Sequence, residues 1–458
     1  MILRLFILYS PACKWGAYSV CLCKRFLGQD MTHILKLWTI LGLLLPGLAL
    51  GQEFWTVSGF ASLGAGRIQD DNLEFMDYNS ERWSFEGDSV LGLQLDLNLA
   101  ERLSLVTQVV SRGYHWDNTS EFEPELDWFF LRYQLNANWR ARVGRMRTPL
   151  YLYSETLDVG YSYAWARPPM DVYSPLTSPF ANFDGADLVY LSDWDDYSLD
   201  IQLLAGKMRR GRDSMTIDVD PMLGGNITLQ NEDLSLRYGL LMMNTDIRLG
   251  AYDRVENYYQ LAGSAIAAFI GVDISQQFDA ISNGFSADNN WFAYQSLGMR
   301  WSPGRFTTIA EVFDNHNTDN QYDHKARGGY LSLLYQLPPF TPYVVAGYYD
   351  SKFGKDALAA VNSTYAFWPA NQTLPLLQVQ VDTLDQLRQL TVDYIDSLNY
   401  TQKTWTLGIR YDLMSNVALK AEWQYFDVTA GKGGLLVWTA PEVTDHTSMT
   451  TFVIDVVF

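Results

Sequence analysis

The 458 residues contain only three cysteines, Cys13, Cys21 and Cys23, and none follows. The chain beyond residue 23 therefore has no disulfide framework and no thiolate metal site. Basic residues are scarce, with 33 Lys and Arg against 52 Asp and Glu and a formal net charge of −19. Nucleic acid is excluded as a partner, because gripping a phosphate backbone needs a basic face. No run of 18 or more apolar residues follows Gly51, and candidates such as Ala265 to Val272 are too short to span a bilayer as helices. Any membrane protein made from this part must be a closed barrel, since an open sheet in lipid leaves backbone groups unsatisfied. There is no G-x-S-x-G elbow, no H-E-x-x-H and no glycine loop leading from a strand into a helix. His115, His316, His324 and His446 fall in or beside predicted loops, without a Ser/His/Asp spacing. His316 and His324 could share a divalent ion with Asp314, Asp319 and Asp323, but read better as solvated polar groups. No catalytic residue, metal or cofactor is expected.

The first 51 residues differ from the rest. Met31 opens a second start, followed by Lys36, an apolar run from Leu37 to Leu50 and a small-residue site at Ala49-Leu50-Gly51. Those are the n-region, h-region and cleavage site of a secretory signal. Residues 1–30 then read as an upstream extension, and the mature chain starts near Gln52. Without this leader the basic and acidic counts are 28 and 51, a net charge of −23.

What the chain has in quantity is alternation. Aromatics make up 14% of it, with 33 glycines, a mix that favours strands and turns. Leu91, Leu93, Leu95, Leu97 and Leu99 form one face opposite Gln94, Asp96 and Asn98. Trp405, Leu407, Ile409, Tyr411 and Leu413 repeat the pattern, as do Val417, Leu419, Ala421, Trp423 and Tyr425. Sixteen such segments can be counted, near 55–66, 89–99, 102–113, 125–136, 139–149, 185–194, 197–207, 222–230, 234–245, 291–301, 305–315, 326–337, 341–352, 402–413, 417–428 and 448–458. Connections after even-numbered segments read as tight turns, and those after odd-numbered ones as long polar loops. The longest are 150–184, 246–290 and 353–401. Short and long alternate without exception, the pattern of a transmembrane antiparallel up-and-down barrel with short periplasmic turns and long external loops. Trp139, Trp194, Tyr197, Trp301, Phe306 and Tyr343 sit at the short-turn ends, where an interfacial girdle belongs. Two loop stretches, Thr383 to Asn399 and Ala251 to Ile274, are compatible with helices.

The chain ends TFVIDVVF, with Phe452, Ile454, Val456 and Phe458 on one strand face. An alternating strand finished by an aromatic resembles the C-terminal assembly signal of bacterial outer-membrane proteins. With the sixteen-segment rhythm, residues 52–458 resemble the Gram-negative general and specific porins. The stretch RMRTPLYLYSETLDVGYSYAWARPPMDVY, Arg145 to Tyr173, looks like the strand-to-loop region of porin-like proteins. The resemblance implies a homotrimer in the bacterial outer membrane, in contact with lipid and lipopolysaccharide and inserted by the barrel assembly machinery. It also implies that the third long loop, 150–184, folds inward and narrows the pore.

If the apolar parity of each strand faces lipid, the other parity lines the lumen. Arg132, Arg140, Arg142, Arg237, Arg300, Arg410 and Lys420 all fall there, as charges in a span must. Arg145 and Arg147 have the wrong parity for the lumen unless Gly144 is a bulge, and are placed near the outer rim. Asp158, Asp171 and Asp184 in the third loop could oppose Arg132, Arg140 and Arg142 across a constriction and filter solutes by a transverse field. Alternatively they are solvated loop charges. The resulting expectation is passive diffusion of small hydrophilic solutes or ions, with a lean towards anions. The alternatives are a channel for less polar compounds and a barrel-mounted surface interaction protein.

Overall fold

The sixteen alternating segments close into one antiparallel barrel. In this computed structural model residues 54–76, 78–114, 122–177, 179–212, 215–249, 259, 275–284, 287–318, 324–371, 378–428, 435–438 and 445–458 are described. The proposed leader and the helix-compatible stretch 251–274, apart from Tyr259, lie outside them. The wall is built from β1 (Trp55–Ile68), β3 (Val90–Ala100), β4 (Leu103–Arg112), β5 (Pro124–Gln134), β6 (Trp139–Arg147), β7 (Asn182–Trp194), β8 (Tyr197–Arg212) and β9 (Met215–Gln230). It continues with β10 (Leu234–Leu249), β11 (Ala287–Trp301), β12 (Phe306–Asn317), β13 (His324–Tyr335), β14 (Phe340–Phe353), β15 (Tyr400–Met414), β16 (Val417–Val428) and β18 (His446–Val457). Each strand pairs with its neighbour in sequence, and β18 pairs with β1. Two short strands outside the wall, β2 (Leu73–Glu74) and β17 (Val437–Trp438), join the first and last long loops.

The chain terminus performs the closure. β18 runs against β1 from Phe60↔Val457 to Ile68↔Met449, and Gly59 and Phe458 exchange backbone hydrogen bonds of 2.8 and 3.0 Å. The Phe458 ring lies over Gly59, where an added Cβ would come within 2.4 Å of it. Phe452 and Ile454 face outward with large exposed surfaces, and closure leaves no free edge. Around the barrel Leu131, Val143, Leu203, Ile227, Leu297, Leu331, Trp405 and Leu407 are likewise exposed. That band is a lipid-facing surface.

Three expectations need correction. Tyr343 is not in the girdle: it is 3% exposed and its hydroxyl donates to Glu422 on the inner face, whereas Trp139, Trp194, Tyr197, Trp301 and Phe306 are outward. Tyr343, Val345 and Tyr349 inside and Val344 and Tyr348 outside make both faces of β14 apolar, so parity misleads there. The connection after the seventh segment is not long. β8 and β9 each run 16 residues and are separated by 213–214 alone. At their outer ends the contrast is inverted: Met208, Ile217 and Val219 are buried inward while Arg209 and Asp218 face outward, so a search for an outward apolar parity passes over them. Pro221 sits at a register shift that interrupts the pairing of β9 with both neighbours, the kind of place where a strand accepts proline. Third, Arg147 is buried at the barrel's inner side, while Arg145 does face outward.

Among the described residues, the long connections carry the helices α1 (Met170–Thr177), α2 (Ser275–Asn283), α3 (Lys355–Asn371) and α4 (Gln378–Ser397). α4 covers most of the helical stretch expected at 383–399. Phe278, Ile281, Val361, Tyr365, Leu384 and Ile395 from α2–α4 join one apolar cluster with inward wall residues such as Phe313, Tyr349 and Phe353. These helices pack on the long-loop mouth and bury apolar side chains against its upper inner wall.

The candidate functional site: a loop seated across the lumen

Residues 148–181 leave β6 and cross the barrel before returning as β7. Their local sequence sets the path. Pro149 ends the β6 ladder by removing a donor. Tyr151 N–H donates to Ser154 Oγ at 2.7 Å, tightening the chain into the first of two 3₁₀ turns, Ser154–Thr156 and Gly160–Ser162. Pro168 and Pro169 then lead into α1, a favoured place for proline.

On one side the loop lies in a trough. Gly239, Gly298, Gly328 and Gly347 are on the inward faces of β10, β11, β13 and β14. A Cβ at Gly328 would come within 2.1 Å of Asp171 O, and one at Gly239 within 2.5 Å of Leu150 O. Polar wall groups fix the loop backbone above this floor. Arg237 donates to Pro149 O at 2.9 Å and Ser296 to Leu150 O at 2.7 Å. Glu311, buried on β12, accepts from Leu152 N–H at 2.8 Å, Tyr173 OH at 2.5 Å and Tyr330 OH at 2.7 Å.

The other side is held by β1, β15, β16 and β18. Lys420 donates to Gly160 O at 2.7 Å and Trp165 O at 2.6 Å, and its Nζ lies 2.9 Å from Asp455. Arg410 donates to Tyr161 O and Tyr163 O at 2.7 and 2.9 Å. Glu422 accepts from Ala166 N–H at 3.1 Å and Tyr343 OH at 2.9 Å. Arg167 reaches Asp88 at 2.5 and 2.7 Å and Thr451 at 2.8 Å. Burial opposes its charge, but Asp88 and Glu422 hold the guanidinium above its ordinary pKa.

The three loop aspartates do not face the three arginines expected. Asp158 is clamped by Arg112 on β4, at 2.7 Å, and by Arg147. Burial alone would raise its carboxyl, but the two guanidinium groups outweigh burial and hold it well below the usual range. Asp171 is buried at the start of α1 and accepts from Thr404 Oγ1 at 2.8 Å. Burial pushes it up to about 6, the hydrogen bond acting only in part against this. Asp184 belongs to β7, faces outward and pairs with Arg145 at 2.8 Å. The opposition of Asp158, Asp171 and Asp184 to Arg132, Arg140 and Arg142 is thus corrected.

The seven basic residues do lie on the inner side. Arg132 bonds Ser104 at 2.9 Å and lies 3.5 Å from Asp96. Arg142 binds Asp187 at 2.5 Å, with loop residue Glu155 at 3.9 Å. Arg410 pairs with Asp412 at 2.8 Å and Lys420 with Asp455. Arg140, Arg237 and Arg300 form no ion pair among the described residues, and the buried Nε of Arg140 and of Arg237 has no hydrogen-bond partner. Reading the sequence for inward cations missed the inward acids Asp127, Asp187, Glu311, Glu422 and Asp455. It also missed the glycines of the trough. The glycines and most of these acids lay on the inward parity and could have been found by it, but Asp127 has the parity opposite to Arg132 and is turned inward by a bulge in β5.

The loop divides the lumen into two cavities. The outer one, about 130 Å³, is lined by Arg112, Arg147, Arg167, Asp88, Asp158 and Tyr163 among others. The inner vestibule, about 540 Å³, is lined by Tyr153, Tyr163, Arg300, Arg410 and Asp412 among others. Tyr163 touches both. Its hydroxyl donates to Leu157 O at 2.9 Å, and Lys420 Nζ lies 4.6 Å from its ring centroid. Among the described residues there is no group of three or more His, Cys, Asp or Glu able to hold a metal. His316 contacts Asp314 at 2.8 Å, and Asp319 and Asp323 lie outside the described residues.

No family model matches the chain, and no curated protein matches its sequence. Solved structures do share its architecture. The anion-selective porin from Comamonas acidovorans superposes with a TM-score of 0.52 at 13% identity, covering 88% of this chain and 99% of that one. The outer membrane channel DcaP of Acinetobacter baumannii gives 0.51 at 10% identity, covering 88% and 97%. OmpT of Vibrio cholerae reaches 0.48 at 11% identity, covering 89% and 99%. At these identities the likeness is one of fold. With its closed sixteen-strand wall, apolar outer band and third long loop turned inward, the chain is a porin-like transmembrane β-barrel.

Proposed function

We propose that the protein is a passive channel of the bacterial outer membrane for small hydrophilic solutes, with no chemical step. The observation that carries the reading is the loop 148–181, an inward segment seated in a glycine trough with a cavity on each side, each bearing charged side chains. The trough fixes one seated path, and a transport septum needs that kind of fixed narrowing. Solutes pass from the outer cavity to the vestibule beside Tyr163. The lean towards anions rests on Arg140, Arg237 and Arg300, set against only Asp200 and the loop's Glu155 among the described residues, since the other four wall cations are matched by carboxylates. We further propose that residues 31–51 direct export, that the terminal strand face Phe452, Ile454, Val456 and Phe458 recruits the barrel assembly machinery, and that the barrels assemble as trimers.

A second reading has its own support. The outer cavity also carries Met76, Leu157 and Met170, and the mouth above is apolar, which suits a less polar solute. Single-channel current in a planar bilayer under a salt gradient tests both. Small stable steps with a reversal potential of the anion-selective sign support the first reading. Cation selectivity overturns the assignment of the three arginines. No steps from a folded barrel, together with saturable uptake of apolar solutes into vesicles, supports the second.

A further inference from the structure

The first long loop, 69–89, also reaches the lumen. It pairs β2 with β17 of the last long loop and turns back between Phe75 and Tyr78, which exchange backbone hydrogen bonds of 3.0 and 2.9 Å. The Tyr78 ring is fully buried in a slot between two glycines, where a Cβ at Gly66 would come within 2.7 Å of it and one at Gly87 within 2.5 Å. From that slot its hydroxyl donates to Asp88 at 2.6 Å. Ser89 Oγ, next in the chain, accepts from Gly64 N–H on β1 at 3.0 Å. Asp88 is thus fixed by its own loop, and its carboxylate takes the two shortest hydrogen bonds that Arg167 makes. The rings of Phe75 and Tyr78 lie 5.8 and 5.7 Å from the same guanidinium. Leu73, Phe75 and Tyr78 share an apolar cluster with Met170 of α1 and Phe426 of β16.

This brace stands at the solute's entrance. Met76, Asp88 and Ser89 line the outer cavity together with Asp158, Arg167 and Pro168 of the inward loop. The passage above the septum is therefore a gap between two loops, bridged by a buried ion pair. Burying such a pair adds little net stability, and its best-attested use is to fix one arrangement against others. We propose that the first long loop is the second lip of the constriction, with Tyr78 and Asp88 as positioning residues. Latched to Arg167, they set the width of the outer cavity and so the size of solute admitted from the long-loop side. Releasing Asp88 leaves the inward loop seated, because Arg167 keeps Thr451 at 2.8 Å, Gln424 at 3.2 Å and Glu422 at 3.7 Å. The inference rests on the channel reading, since a lip matters only where solute passes.

Two readouts on the full chain in lipid vesicles and bilayers test it, with Asp88→Asn and the milder Tyr78→Phe, which loses one hydroxyl and keeps the ring. The first is tryptic nicking after Arg82, an exposed residue between Tyr78 and Asp88. Cleavage there tracks the released population, which is expected to rise roughly 10- to 100-fold in each variant with the loss of a hydrogen bond to a charged group. The second is single-channel current with graded uncharged polyethylene glycols added to one side. The largest polymer that enters from the long-loop side is expected to increase in both variants, while the limit from the short-turn side stays the same. Increased nicking with an unchanged size limit overturns the proposal, as does wild-type nicking in both variants. A wider limit accompanied by cleavage at Arg167 also overturns it, since the inward loop has then come unseated. A wild-type barrel that conducts nothing while both variants nick as expected refutes the channel reading and supports the latch.

Discussion

Asp171 makes the seating of the loop sensitive to pH. Its carboxylate is 2% exposed, receives one hydroxyl hydrogen bond from Thr404, and sits where a Cβ on Gly347 would come within 2.2 Å of it. Burial raises its pKa from 3.8 to about 6. The folded state therefore holds the proton more tightly than the unfolded chain, and the sign follows from that. The Asp171 contribution to stability is greatest below about pH 4, falls as pH rises through the window from about 4 to 6, and is flat above it. The cost of carrying the charge at neutral pH is about 3 kcal/mol, at 1.36 kcal/mol per tenfold shift in proton affinity. Asp171→Asn keeps the shape and an acceptor for Thr404 and removes the titration. Its amide N–H groups gain no obvious partner, which costs roughly 1–3 kcal/mol at every pH. That cost shifts the variant's curve as a whole, while the slope with pH reports the titration alone.

Equilibrium urea unfolding from lipid vesicles between pH 4 and 8 measures that slope. The stability difference, variant minus wild type, is expected to rise by about 3 kcal/mol from pH 4 to pH 7. In bilayer recordings, closures and flickering are expected to increase from pH 4 to 6 in the wild type and not in Asp171→Asn. Parallel stability curves for the two proteins across this range would refute the reasoning.

Asp158→Asn leaves Arg147, 3% exposed, with Asp127 as its remaining acid; breaking buried pairs costs about 3–5 kcal/mol, and urea unfolding at pH 7 is expected to show a loss near the lower figure. Because the Asp158 pKa is depressed, that contribution is present above about pH 4 and declines only as pH falls below the usual carboxylate range. Tyr163→Ala removes the ring between the two cavities and is expected to raise single-channel conductance, at about 3–5 kcal/mol of stability by analogy with other large-to-small core changes; unchanged conductance in a folded variant places the narrowing elsewhere. Gly328→Val drives a side chain into the Asp171 carbonyl and is expected to unseat α1, read as protease cleavage within 160–177 of the folded barrel.

The wall was legible because a half-buried strand writes itself with period two, and a lipid-facing half does so with large apolar residues. Leu91 to Leu99 or Trp405 to Leu413 admit no other register. The reading weakened where that contrast inverted or vanished. Above the lipid band, the ends of β8 and β9 are polar outward and apolar inward, with Met208, Ile217 and Val219 buried, the reverse of the contrast within it. Behind the loop, β14 is apolar on both. The partners of Asp158 and Asp171 were not legible at all, because they depend on where a 34-residue loop crosses itself and the wall, and no periodicity encodes that path. The one clue available was the inward glycines on β10, β11, β13 and β14, which mark the strip where a backbone approaches.

The arginines and acids of the inner wall also divide by task once the path is known. Glu311, Glu422 and Lys420 are buried and use most of their hydrogen-bonding capacity on loop N–H, hydroxyl and carbonyl groups. Such groups are costly to bury alone and stabilising only when fully partnered. They act as clamps, and their charges are compensated before any solute arrives. A row of inward basic residues therefore overstates the field in the lumen. What a passing solute meets is the smaller set left over: Arg140, Arg300 and Asp200 on the wall, Arg237 where it is not used by Pro149 O, and Glu155 on the loop. Substituting Lys420 should then unseat the loop with little change in ion preference, whereas substituting Arg300 should change preference with little effect on stability.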